Sequence, residues 1–202
     1  MSATSNSADS SARVMSGISK DQQPTPAHQA RSLELPVESG LDHAGREALC
    51  ELLGNNLAST YVLYHKTHAY HWNVTGPMFY SVHKLTDDQY VALAANVDDI
   101  AERIRALGFP APVGLSDYYK RSSIKDVEGI PDAGSMLREL ALDNQHLAGT
   151  MRQTVEKAEE IGDTYTADFV TGLIGQYEEA GWMLNALAVG DDRGSAPGEA
   201  SA

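Results

Sequence analysis

Two histidines and three carboxylates lie within or just before one long helical pattern, and their types suit a metal centre. The five residues are His71, His83, Asp87, Asp98 and Glu102. Neutral imidazole and carboxylate together suit divalent iron, zinc or manganese, whereas thiolate ligands would indicate zinc or an iron–sulfur cluster. Cys50 is the only cysteine, so the sequence excludes both thiolate alternatives.

The spacing divides four of these residues into two groups on one amphipathic helix, predicted over about residues 78–107. His83 and Asp87 are four residues apart, as are Asp98 and Glu102, so each pair shares a helical face. At ~1.5 Å per residue the pairs are roughly 22 Å apart, too far for one site. Either the chain has two weak sites, or a two-fold axis near the middle of the helix brings the pairs of two copies together. The second arrangement predicts a dimer with two equivalent intersubunit sites.

The preceding helix, predicted over about residues 41–73, carries His71 near its end. Gly76 and Pro77 follow shortly afterwards and are strong helix-stopping residues. A short turn at this point returns the chain, so we expect His83 to lie near His71.

The sequence segments around these residues resemble the signature of a known family, the Dps proteins (DNA-binding proteins from starved cells). This family is a branch of the ferritin superfamily. The similarity runs from about residue 41 to residue 189. The matching segments are His71-Trp-Asn-Val-x-Gly, Phe79, His83 with Asp87, Asp98-x-x-Ala-Glu-Arg-Ile-x-x-Leu-Gly108, Thr166-Ala-Asp168 and Trp182-Met-Leu. A match this long and ordered is far more specific than a short motif.

The resemblance implies a hollow homo-dodecamer with di-iron ferroxidase sites at its two-fold interfaces, which use hydrogen peroxide in preference to dioxygen. It places the ligands His71, His83 and Asp87 on one subunit. Asp98 and Glu102 would come from the two-fold partner, with Glu102 bridging two irons. Many family members carry Lys where this chain has His68. That residue is an added ligand, a hydrogen-bond donor to the ligands, or a side chain that lines the site entrance.

The remaining pattern predicts an all-α, ferritin-like four-helix bundle. Further helices are predicted at about 133–161 and 164–189, with a short extra helix near 116–122 in the long crossover. Residues 1–40 and 190–202 are predicted to be flexible N- and C-terminal tails around a single domain at 41–189. The chain has no Glu-x-x-His motif, which disfavours a di-iron site inside one bundle. Asp143 is a weaker candidate, for an acidic channel on a three-fold axis.

Composition and charge indicate which environments and ligands the protein is suited to. The sequence has no apolar run long enough to span a membrane and no visible signal peptide. A single cysteine fits a reducing cytoplasm. The net charge of −13 fits an iron store, because acidic channels and an acidic cavity attract ferrous ions.

DNA binding depends on lysine and arginine that neutralise phosphates, and the tails offer few of them. Arg13, Lys20 and Arg31 stand against Asp9 and Asp21 in the N-terminal tail, so we predict weak or no DNA binding and a loose association with the nucleoid at most. Two alternatives to the iron-storing ferroxidase stay open. One is a nucleoid-compacting structural protein with a secondary metal site, and the other is a zinc or manganese protein.

Overall fold

The computed structural model describes residues 33–189, and within this range the chain forms five helices and no strand. They are α1 (His43–Asn73), α2 (Phe79–Ala106), α3 (Leu115–Arg121), α4 (Ala133–Glu160) and α5 (Thr164–Ala188). The ends differ from the predicted ones by at most two residues. The prediction of an all-α bundle with a short extra helix in the crossover is therefore confirmed.

Aspartates fix the start of three of the long helices. The side chains of Asp42, Asp132 and Asp163 each accept a hydrogen bond from the backbone N–H three residues further on, over 3.0, 2.9 and 3.1 Å. Each bond satisfies one of the amide groups that a helix leaves without an internal partner at its first turn. Between α1 and α2 the chain turns at Gly76, whose φ of 92° is accessible mainly to glycine. This turn sets the angle at which α2 returns along α1.

The core lies between two helix pairs, α1 with α2 and α4 with α5, and α1 also packs on α4. Its largest fully buried side chains are Tyr70, Tyr177, Leu49, Leu53, Leu57, Leu63, Ile100, Ile104, Leu107, Met136, Leu137 and Leu140. Polar bonds cross the core as well, including Thr60 to Tyr177 over 3.1 Å and Asn56 to Thr154 over 2.7 Å. Apolar burial holds the helices together, and directional bonds of this kind also fix the register of neighbouring helices.

The crossover from α2 to α4 contains α3, which packs against α1. Arg121 at the end of α3 reaches Glu51 on α1 over 2.9 Å. Most of the two predicted tails, residues 1–32 and 190–202, lies outside the described residues. Of the described part, the backbone N–H of Leu35 donates to the carbonyl of Gly108 over 2.8 Å. In the range 33–189, none of the helices is long and apolar enough to cross a bilayer.

Candidate metal centre

His71 and His83 face each other across the turn between α1 and α2. The Nδ1–H of His71 donates to the backbone carbonyl of His83 over 2.9 Å, and the Nδ1–H of His83 donates to the carbonyl of His71 over 3.0 Å. The two rings are stacked, with centroids 3.8 Å apart and planes 20° from parallel. Because a carbonyl oxygen only accepts, both bonds assign the proton to Nδ1 and leave Nε2 as the nitrogen with a free lone pair.

Neighbouring side chains hold this histidine pair in place. The ring of Phe79 stacks on His83 at 5.0 Å, and the ring of Tyr90 meets His71 edge-on at 5.1 Å. The buried hydroxyl of Thr86 lies 3.4 Å from His71 Nδ1 and donates to the carbonyl of Val82 over 2.7 Å. Metal-binding histidines ordinarily have their second nitrogen fixed in this way. The imidazoles are therefore oriented by the chain itself, before any metal or second copy is present.

Asp87 is held by two partners on its own helix. Lys84 Nζ donates to Oδ2 and the Tyr90 hydroxyl donates to Oδ1, both over 3.0 Å. The hydrogen bonds from Lys84 and then Tyr90 lower the pKa of Asp87, against a smaller effect of burial. The same contact raises the pKa of Lys84. The carboxylate is thus kept ionised, and a metal that binds it has to compete with the ammonium group of Lys84.

The ring of His68 lies between two other rings, with centroids 4.0 Å from Trp72 and 4.1 Å from Tyr90. Burial lowers its pKa, and the neighbouring His71 and His65 lower it further. These effects favour the neutral imidazole, which is the form that binds metals. His68 lies 6.0 Å from His71 between ring centroids, and its predicted role at the site stays a prediction.

Asp98 and Glu102 form a second, separate group further along α2. Both side chains are exposed, and within residues 33–189 neither carboxylate makes a hydrogen bond or an ion pair. The helix beneath them is nevertheless anchored, because Arg103 donates to Asp163 and to Thr166 over 2.7 Å each. A cavity of about 400 Å³ opens beside Glu102 and Arg103. The backbone of this group is fixed while its carboxylates face outward.

The two groups do not meet within one chain. In the described range 33–189, no three or more His, Cys, Asp or Glu side chains cluster closely enough to hold a metal ion. The donor types nevertheless fit ferrous ion, since two imidazole nitrogens with free lone pairs and three carboxylates match its preference for mixed nitrogen and oxygen ligands.

Asp143, the candidate for an acidic channel, already has a partner inside the chain. It accepts a hydrogen bond from Lys66 Nζ over 2.7 Å, and the lysine side chain is only 6% exposed. On the same side of α1, Tyr70 donates to Glu139. Asp143, Lys66 and Glu139 border a cavity of about 510 Å³ together with His146. The channel role of Asp143 stays a prediction, with much of its charge balanced by Lys66.

Sequence reasoning did not identify Lys84 and Tyr90. A signal existed, because they lie three residues before and after Asp87 and therefore on its helical face. Such pairs are common on solvated helix faces, so spacing alone could not distinguish them from ordinary surface residues. Thr86 was missed for a different reason, since its importance comes from burial against His71.

The class of protein follows from the fold and from similarity to known proteins. Residues 50–193 match the sequence model of the ferritin-like domain family. The crystal structure of a Dps protein from Vibrio cholerae O1, described as a member of a broad superfamily of ferritin-like diiron-carboxylate proteins, is 33% identical with a TM-score of 0.70. That similarity covers 72% of this chain and 92% of the Vibrio chain. The chain is thus a ferritin-like protein.

Relatives narrow the class to one family. DNA protection during starvation protein 2 of Bacillus anthracis is 31% identical over 137 residues, which cover 68% of this chain and 94% of that protein. A low temperature-induced protein of Nostoc sp. is 38% identical over 157 residues, covering 76% and 87% of the two chains. The crystal structure of antigen TpF1 from Treponema pallidum is 33% identical with a TM-score of 0.71, covering 76% and 99%. The chain belongs to the Dps family, and the resemblance found in the sequence is confirmed.

Proposed function

We propose that this protein oxidises ferrous ion with hydrogen peroxide at sites formed between two copies of the chain, and stores the ferric product inside a homo-dodecameric shell. Dioxygen serves less well as the oxidant. His71, His83 and Asp87 come from one copy, and Asp98 and Glu102 from its two-fold partner. The protein works in the cytoplasm and limits oxidative damage to DNA and to the cell.

The observation that carries this proposal is the histidine pair of His71 and His83. Its reciprocal hydrogen bonds leave two Nε2 lone pairs in fixed positions, which is how an imidazole ligand is prepared for a metal. Membership of a ferritin-like family supports iron as the metal. The outward-facing carboxylates of Asp98 and Glu102 support the proposal that a second copy of the chain completes the metal site. Few protein ligands per iron leave coordination positions open for peroxide.

The reaction requires two ferrous ions close together. Hydrogen peroxide takes up two electrons and two protons to give two molecules of water, and a pair of ferrous ions supplies both electrons. A single ferrous ion supplies only one and releases a hydroxyl radical. Glu102 is suited to bridging the pair, because a carboxylate has two oxygens that can bind different metal ions. The weakly held ferric ions then move into the cavity.

An anaerobic ferrous titration followed by peroxide tests the activity. We expect two irons to be oxidised promptly per peroxide, in a particle much larger than one chain. Oxidation no faster than in protein-free buffer would refute the proposal. Repeating the titration with zinc or manganese present tests whether either metal holds the site in place of iron.

Mixing two inactive variants tests the intersubunit arrangement. A His71→Ala, His83→Ala chain lacks one half of every site, and an Asp98→Asn, Glu102→Gln chain lacks the other half. After unfolding and refolding together, a mixed dimer has one intact site and one site without either half. Random pairing restores about a quarter of the sites. If each chain built its own site, the mixture would stay inactive.

The second candidate function is structural binding and compaction of DNA, which is consistent with the DNA protection that the name of the Bacillus anthracis relative describes. We expect weak or no binding at physiological salt, since the tail residues that could reach DNA carry little net positive charge. Electrophoretic mobility shift across a salt series measures this. Tight binding that survives about 0.2 M salt would favour the structural function.

A further inference from the structure

A continuous series of oxidisable rings leads from the candidate metal centre to the crossover helix α3. It begins at Tyr90, whose ring lies 6.5 Å from Tyr64 between centroids. Tyr64 lies 6.1 Å from Tyr61, and Tyr61 stacks on Tyr118 at 4.8 Å with planes 9° from parallel. We refer to Tyr90, Tyr64, Tyr61 and Tyr118 as the tyrosine series. All four side chains are partly exposed.

The series is connected at its inner end to both the histidine pair and a tryptophan. Tyr90 meets His71 edge-on at 5.1 Å and stacks on His68 at 4.1 Å, and His68 contacts Trp72 at 4.0 Å. Imidazole is harder to oxidise than phenol or indole, so His68 fills the space between Trp72 and Tyr90 without itself being oxidised. The Tyr90 hydroxyl also donates to the Asp87 carboxylate, which provides an acceptor for the proton that a phenol releases when it loses an electron.

Aromatic packing alone does not account for this arrangement. Tyr61, Tyr64, His68 and Trp72 follow one another at helical spacings along a single face of α1. Leucine or phenylalanine would pack a half-buried face equally well. What tyrosine adds is an oxidisable phenol, and electron transfer is fastest between rings in or near contact. The series therefore links the place where peroxide would react to a helix on another side of the site.

We propose that the tyrosine series carries one-electron oxidising equivalents from the candidate metal centre to Tyr118 on α3. The biological use of this route rests on the proposed ferroxidase function, whereas the route itself does not require iron. When peroxide meets a site with one ferrous ion, the products are ferric ion, hydroxide and a hydroxyl radical. The radical takes a hydrogen atom from the Tyr90 phenol, which gives water and a tyrosyl radical.

Each later step moves one electron towards the site and the radical away from it. An electron passes from Tyr64 to the Tyr90 radical. Tyr90 takes up a proton from water, and Tyr64 releases a proton to water. The same exchange repeats through Tyr61 to Tyr118. There a small-molecule thiol gives up a hydrogen atom, which restores the phenol and produces a thiyl radical. The oxidant is thus consumed at a partly exposed residue rather than at the ligands.

Pulse radiolysis with azide radical tests the route without iron. The chain has two tryptophans, so the full-length Trp182→Phe protein is oxidised selectively at Trp72. We expect the indolyl absorbance to decay into tyrosyl absorbance in a first-order phase that is independent of protein concentration. Tyr90→Phe should abolish this phase. Tyr119→Phe is the matched control on α3, because it lies beside Tyr118 but outside the series, and it should leave the phase unchanged.

A nitroso spin trap followed by peptide mass spectrometry locates the end of the route. The adduct should lie on Tyr118 in the parent protein and move inward, to Tyr90, in Tyr64→Phe. Thermal unfolding of every variant checks that the fold is retained. A concentration-independent phase that persists in Tyr90→Phe, or an adduct on Tyr118 that persists in Tyr64→Phe, would overturn the proposal.

The same variants treated with peroxide and less than one ferrous ion per site test whether the route is used. We expect a tyrosyl signal by electron paramagnetic resonance that Tyr90→Phe removes. If iron is oxidised no faster than in protein-free buffer, the ferroxidase function fails, and the radiolysis result still decides whether the route exists. Prompt iron oxidation with no electron transfer in radiolysis would refute the route alone.

Discussion

The two groups of candidate ligands differ in what holds their side chains. His71 and His83 are fixed by reciprocal hydrogen bonds and by ring stacking at 3.8 Å. Asp98 and Glu102 are exposed, and within residues 33–189 no bond constrains their carboxylates. Both groups nevertheless stand on firmly packed helices. The difference is therefore one of side-chain orientation: the chain itself orients the histidines but not the carboxylates. We refer to His71 and His83 as the preformed half-site of the proposed intersubunit centre, and to Asp98 and Glu102 as its open half-site.

This asymmetry suits a site shared between copies. Imidazoles have one direction of bonding, so their orientation has to be set before a metal arrives. Carboxylates accept over a wide range of directions, and they can adjust when a partner brings a metal towards them. Four predictions test this comparison.

Removing the open half-site should have the largest effect on activity and almost none on the fold. We expect Asp98→Asn, Glu102→Gln to lower peroxide-driven iron oxidation to the protein-free rate, because two of the five candidate ligands, and all of those that the second copy would supply, are lost. Since both side chains are exposed, the free energy of unfolding should change by less than about 0.5 kcal/mol per substitution. Stopped-flow ferric absorbance and chemical denaturation measure the two quantities. The control Glu156→Gln, Glu159→Gln removes the same charge from α4 and should keep full activity.

The stability of the fold around the open half-site should depend on the ion pair between Arg103 and the buried carboxylate of Asp163. Asp163→Asn keeps the helix cap but leaves Arg103 without its counter-charge, at a cost of about 2–3 kcal/mol at pH 7. Burial alone would raise the pKa of Asp163. The hydrogen bonds from Thr166 and the charge of Arg103 outweigh burial, so the pKa lies below its usual value of 3.8.

The pH dependence of this cost has a definite sign. A carboxylate whose pKa is lowered by folding stabilises the fold fully above its unfolded pKa, and loses that contribution as pH falls through the folded pKa. The stability difference between the parent protein and Asp163→Asn should therefore be constant from pH 7 to about pH 5 and shrink below about pH 4. Urea denaturation across this range measures it. A difference that grows on acidification contradicts the assigned direction of the shift.

The sequence predicted the parts of this comparison that depend on spacing. The end of α1 followed from the stop signals Gly76 and Pro77, and the separation of the two ligand groups followed from helical rise. Proximity of His71 and His83 was also expected. Their reciprocal hydrogen bonds were not, because they depend on the geometry of the turn. The pairing of Lys66 with Asp143, 77 residues apart, depends on how α1 packs on α4, which helical periodicity does not contain.

The preformed half-site should contribute to stability as well as to activity. His71→Ala removes a buried ring, its stacking on His83 and one of the reciprocal hydrogen bonds, so we expect a loss of about 1–3 kcal/mol. His146→Ala on α4 is the matched control, since that side chain is exposed and the expected change is within about 0.5 kcal/mol. Thermal and urea unfolding of the metal-free protein compare the two. Equal losses would mean that the histidine pair is no better fixed than a surface residue.

The smallest effect is expected at Lys84, which occupies the carboxylate that a metal would use. Lys84→Met frees the Oδ2 atom of Asp87 and removes a positive charge near the proposed cation site, so we expect cobaltous ion to bind roughly two- to fivefold more tightly. The gain should shrink between about 0.05 and 0.5 M salt, because the pair is exposed and screened. Lys120→Met on α3 makes the same charge change far from the site and serves as the control. Weaker binding would instead mean that Lys84 holds Asp87 in its binding orientation, and the preformed half-site would then extend from the histidine pair to the carboxylate.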